Sequence, residues 1–199
     1  MFLQNLPYAI GFSLLNLLFL PLNFYMNRKN ITTCARLKYD DKPPYLPVFY
    51  FPYIAFFLMI ILGPYVFAYY FSQPVYLPII TSLIIDMSLS MMIWVYFPCI
   101  VKKPEHIDHD NHSLFVRWLL SYGRKYGNCN SLPSAHISLI TLYFIWLSIL
   151  SPRLWIMWIF LSIINVLSVL LTRQHYILDV ITGMLLSTLV YWLVKIYFG

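Results

Sequence analysis

The sequence predicts an all-α, polytopic membrane protein, and three observations carry that prediction. Of 199 residues, 61% are hydrophobic and only 10% are charged, with a mean hydropathy of +0.73. A soluble domain carries about 25% charged residues. Apolar runs of membrane length recur along the whole chain, and about 20 apolar residues are needed to cross the ~30 Å hydrocarbon layer. Most charged residues fall in a few connections. Lipid offers no water to an open strand edge, so helices are the expected element. The chain reads as one domain, 1–199, with no soluble domain attached.

Six spans are expected, at roughly 6–25, 50–71, 75–97, 133–150, 153–172 and 176–197. The first has no small-residue cleavage site and reads as a retained span rather than a signal peptide. The connection 26–49 carries Arg28, Lys29, Arg36, Lys38, Asp40, Asp41 and Lys42, then the proline-rich KPPYLP. The second and third spans are joined by a short turn. The connection 98–132 opens as PCIVKKPEHIDHD and continues as HSLFVRWLLSYGRKYG. The latter mixes an apolar stripe with basic residues and suits a short amphipathic helix on the membrane surface. GNCNS breaks it before LPSAH opens the fourth span. TRQHYILD, 172–179, stands at the mouth of the sixth. With six spans, the connections after the first, third and fifth share one side of the membrane. The polar motifs all fall there, which points to a single site.

The net charge of +6 resides beside the spans and suits anionic head groups or phosphate rather than nucleic acid. Cys34, Cys99 and Cys129 lack metal-ligand spacing. If those loops are exported, the pairings open to them are Cys34–Cys129 or Cys99–Cys129. Neither an internal repeat nor a low-complexity tract is evident.

In LPSAH, Ser134 suits a helix cap, and the free N–H groups of a helix start favour an anion. His136 follows within the first turns. The segment reads either as a capped helix with an interfacial histidine or as part of a phosphate site. In RQHYILD, His175 and Asp179 are four apart and would share a helical face. Asp179 lies close to the hydrocarbon, where a carboxylate requires a partner. Asp179 beside one imidazole nitrogen would leave the other free as a nucleophile; the alternative is a purely structural Asp–His bond. Thr172 and Tyr176 read as interface anchors or local hydrogen-bond partners. Two histidines, a carboxylate and nearby cations form a phosphoryl-transfer set: one histidine attacks phosphorus, the other protonates the leaving oxygen, and cations stabilise the equatorial oxygens.

PSAH (133–136) and HYILDV (175–180), followed by ITG, resemble the motifs of the type 2 phosphatidic acid phosphatase superfamily. That superfamily includes lipid phosphotransferases related to sphingomyelin and inositol phosphorylceramide synthases. The resemblance implies a six-helix bundle and a phosphohistidine at His175. It makes Asp179 the residue that orients His175, and His136 the general acid. Ser134, with nearby backbone, would bind phosphate. Neither metal nor cofactor is implied. Each of the three motifs departs from the pattern. Ala135 replaces a glycine. Ser168-Val169 stands where Ser-Arg is usual, which leaves Arg173 as the candidate to supply that charge. Lys103-Pro104 replaces Arg-Pro, Tyr96 holds the place of the leading lysine, and Lys102 is a candidate substitute. His106, Asp108, His109, Asp110 and His112 form a polar cluster with three readings: a solvated loop near the head groups, contacts to the substrate's polar part, or a metal site.

The expected activity is hydrolysis of a lipid phosphate monoester or pyrophosphate. The alternatives are transfer of the phosphate or phospho-head group to a lipid or sugar hydroxyl, and a non-catalytic membrane scaffold or transporter. The expected partner is a membrane phospholipid or other lipid phosphate. Basic residues crowd the motif side, which by the positive-inside rule is cytoplasmic. The resemblance implies the exported face of a bacterial inner or plasma membrane, and phosphate-binding cations bias the charge count.

Overall fold

The computed structural model describes residues 2–27, 35–101 and 130–199. These residues form α1 (Phe2–Asn27), α2 (Tyr50–Tyr70), α3 (Gln73–Tyr96), α4 (Ala135–Leu150), α5 (Trp155–Leu171) and α6 (Ile177–Phe198). Single 3₁₀ turns at Pro47–Phe49 and Pro152–Leu154 lead into α2 and α5. Both turns open on proline, whose missing N–H costs nothing at a helix start.

Five of these helices are long and apolar enough to cross a membrane, counting the 3₁₀ turns with α2 and α5; α4 is not. Six spans were expected; five helices reach that length, and the expected span 133–150 is the shorter apolar helix α4. At 16 residues, α4 is about 24 Å long, short of the ~30 Å layer. It starts at Ala135, after the Ser134 cap. It is also enclosed, packing against α2, α3, α5 and α6 with His136–Ile140 all buried. The outer helices instead turn large apolar side chains outward, among them Leu14, Leu17, Phe160, Ile163, Leu185 and Leu189. Apolar surface of that extent suits lipid, not water.

The α3–α4 seam orders the centre. Trp94 Nε1 donates to the Pro133 carbonyl at 3.0 Å, Ser138 Oγ to Asp86, and Trp146 Nε1 to Ser82 Oγ at 3.0 Å. Numbers fall along α3 as they rise along α4, so the helices run antiparallel. Tyr76, Ile80, Leu83, Leu139, Ile140 and Tyr143 fill the same core. At one end of the bundle, Asn5 of α1 donates to the carbonyls of Ala68 (3.2 Å) and Phe71 (2.9 Å).

The connections after α1, α3 and α5 meet at the opposite end. Leu46 N donates to Leu171 O at 2.9 Å, and Ile177 N to Asp40 Oδ1 at 2.8 Å. Ser131 donates through its amide and its hydroxyl to Cys99 O, at 3.3 and 3.0 Å, which closes the base of the 98–132 connection. The surface helix expected within that connection, the His106–His112 cluster, Lys102, Lys103, Cys34 and Cys129 lie outside the described residues.

Candidate active site

α4 begins where Ser134 accepts a hydrogen bond from Ile137 N at 3.3 Å, a side-chain cap that satisfies one orphan amide of the helix start. The backbone of Ser134 is tied to α6: its N–H donates to Asp179 O at 3.1 Å. Gly183 makes this approach possible, because a Cβ there would lie 2.7 Å from Ser134 O. Together these contacts join the starts of α4 and α6 and bring the two motifs side by side.

His136 is the second residue of α4 and is buried. Its ring stacks on Tyr53 of α2 at 4.5 Å between centroids and 12° between planes. Its Nε2 lies 3.1 Å from Asn165 Oδ1, on α5. Its Nδ1 is buried and has no hydrogen-bond partner among the described residues. Neither Tyr53 nor Asn165 was anticipated from the sequence. The signal for Asn165 was present: an amide inside a 17-residue helix that is otherwise almost wholly apolar. Asp86, a lone carboxylate within α3, carried a similar signal, and it proves to be fully buried against Ser138.

His175 and Asp179 come together, but not through a shared helical face. α6 starts only at Ile177, so His175 lies on the turn before it and Asp179 is the third helical residue. Asp179 folds back over that turn. Its Oδ2 accepts from Tyr176 N at 2.9 Å and lies 3.4 Å from His175 Nδ1. The carboxylate side chain is 0% exposed and the imidazole 13%, so the carboxylate stands behind the ring.

The turn itself is held from outside. Val169 O accepts from Gln174 N at 3.0 Å and from His175 N at 3.4 Å. Tyr50 OH donates to Thr172 O at 3.3 Å and accepts from Gln174 Nε2 at 3.0 Å. Arg173, in the left-handed region with φ of 56°, donates to the carbonyls of Asp40 (2.7 Å), Asp41 (3.2 Å) and Pro43 (2.6 Å). Arg173 was expected to bind phosphate; here its guanidinium N–H₂ groups grip the 35–46 connection. Val169, where an arginine was usual, is fully buried against Ile137 and Val180 and leaves no room for a charge. Tyr96, in place of the leading lysine, is exposed. Among the described residues, no group of three His, Cys, Asp or Glu side chains is placed to hold a metal.

A family model for the PAP2 superfamily matches residues 75–199, more than half of the chain. The chain belongs to the PAP2 superfamily. The match takes in α3 to α6, and hence Ser134, His136, Asn165, His175 and Asp179. The superfamily covers phosphatases and phosphotransferases that act on lipid phosphates in membranes. Neither the curated proteins nor the solved structures compared with this PAP2 chain include a significant match.

Proposed function

We propose that this PAP2 protein is an integral membrane phosphatase that hydrolyses a lipid phosphate monoester or pyrophosphate through a phosphohistidine at His175. The observation that supports it most directly is the buried Asp179 carboxylate behind His175 Nδ1, with His136 at the same end of the bundle. With Nδ1 facing the carboxylate, Nε2 is the nitrogen available to attack phosphorus. As the N–P bond forms, the bond from phosphorus to the lipid oxygen breaks, and that oxygen takes a proton from protonated His136. Water then attacks the phosphohistidine, His136 accepts the proton, and inorganic phosphate leaves. The start of α4, with Ser134, offers partial positive charge to the phosphate oxygens. Lys102 and Lys103 follow directly on buried Val101 and are assigned the remaining charge. We place the site on the exported face.

Purified protein in detergent, given a panel of lipid phosphates, tests this by phosphate release. His175→Ala and His136→Ala are each expected to lose turnover; full activity of His175→Ala overturns the mechanism. Mass spectrometry of the products with acceptor lipids present separates hydrolysis from transfer. Absence of both reactions in the wild-type protein favours a scaffold. Cysteine labelling of 98–132 in intact cells reads the orientation.

A further inference from the structure

We propose that Asn165 is a positioning residue that fixes the tautomer of His136 and thereby makes Nδ1 the nitrogen that exchanges the catalytic proton. The proposal rests on His136 being the acid–base group of the reaction above. Asn165 is 1% exposed, on a helix whose other side chains are nearly all apolar. A buried amide costs free energy unless hydrogen-bonded, so its bond to His136 is its compensation. An amide oxygen only accepts. The 3.1 Å contact from Asn165 Oδ1 to Nε2 therefore requires the proton on Nε2. Neutral His136 then carries a lone pair on Nδ1, the nitrogen left without a partner among the described residues. Protonation places the second proton on Nδ1, while Nε2–H keeps its acceptor. The imidazole can thus shuttle between acid and base without breaking the bond that orients it. Tyr53, stacked on the ring face, removes the remaining freedom to tilt.

Such a partner is the second-neighbour support that keeps a reacting ring in one orientation. The groups that bear on His136 come from every packed element. Tyr53 is stacked from α2. Asp86 of α3 holds Ser138, two residues along α4. Asn165 is on α5, and His175 and Asp179 belong to the α6 end. Of these, only Asn165 hydrogen-bonds the ring.

Two measurements test the proposal. Long-range ¹H–¹⁵N spectra of histidine-labelled protein in detergent report the tautomer directly, whether or not the preparation turns over. The expected result is an Nε2–H imidazole at His136 in the wild type and loss of that preference in Asn165→Leu. An Nδ1–H ring in the wild type overturns the assignment. The second measurement is the pH profile of turnover. Asn165→Leu is expected to lower kcat about 10–100-fold with little change in KM, as for loss of other ring-orienting partners. Asn165→Asp should retain more activity, because its carboxylate also accepts from Nε2–H. It should also move the limb belonging to His136 to higher pH, since the added charge favours imidazolium. A folded Asn165→Leu protein with the wild-type rate and profile overturns the catalytic part. Retained wild-type turnover in His136→Ala would instead defeat the underlying mechanism while leaving the tautomer result standing.

Discussion

His136 enters the site on the first turn of α4, clamped by Tyr53 and Asn165 from the bundle interior. His175 sits outside any helix, on a turn gripped by a segment 130 to 133 residues earlier in the chain. The first imidazole inherits its direction from a local rule, a serine cap, and then from apolar packing. The second has no helix to direct it. Its position depends on Val169 O, on Tyr50 and on Arg173 reaching the carbonyls of Asp40, Asp41 and Pro43. The difference suits the proposed roles. A proton-transfer group gains from a fixed tautomer in a dry setting, whereas a nucleophile needs an exposed nitrogen backed by a carboxylate. It also means that the two halves of the site should fail in different ways.

The largest effect is expected from Asp179→Asn. The amide oxygen still caps Tyr176 N, but the charge behind His175 is lost. Turnover should fall by about 10⁴, the scale seen when a carboxylate orienting a catalytic histidine becomes an amide. Thermal unfolding in detergent should barely move. Near-normal phosphate release would reduce the His175–Asp179 contact to a structural one.

Gly183→Ala probes the tie between the halves. Its Cβ would meet Ser134 O at 2.7 Å, so α6 must shift away from α4. Overpacking of this kind costs about 1–3 kcal/mol. Because the shift separates Asp179 from Ser134, turnover should drop by about 10²-fold for a misplacement of about 1 Å. An unchanged melting temperature would argue against so close an approach.

Arg173→Ala should have the smallest effect on rate, roughly tenfold, and should act only on the His175 half. Hydrogen bonds from a charged donor contribute about 1.5–3 kcal/mol. That contribution is offset in part by the cost, about 1–2 kcal/mol, of holding a non-glycine residue left-handed. Amide exchange in 35–46 should quicken, and Asp40→Ala, which frees Ile177 N, should reproduce it. A raised KM with unchanged exchange would restore Arg173 to the phosphate.

Much of this was legible in advance. The apolar runs located the helices to within a few residues, because burying a backbone in lipid demands continuous helix. Ser134 announced the start of α4. His175 and Asp179 announced their pairing, although a helical face was the wrong reason for it: the chain reverses at Thr172–His175, and the carboxylate reaches back across the turn. The grip of Arg173 on the 35–46 connection was not legible, because sequence distance to His175 says nothing about where a long side chain points.

Sequence alone determined an all-helical membrane protein, the residues proposed as the phosphoryl-transfer set, and a convergence of three connections at one end. Composition, period and spacing suffice for these, since each depends on neighbours in the chain. Only the tertiary structure decided that α4 is short and enclosed, that Gly183 lets α6 touch Ser134, and that Asn165 and Tyr53 hold His136. Helices apolar on every side carry no stripe to announce which face meets which neighbour. Their pairing is settled by a few buried polar groups and close approaches, contacts that exist only once the bundle is assembled.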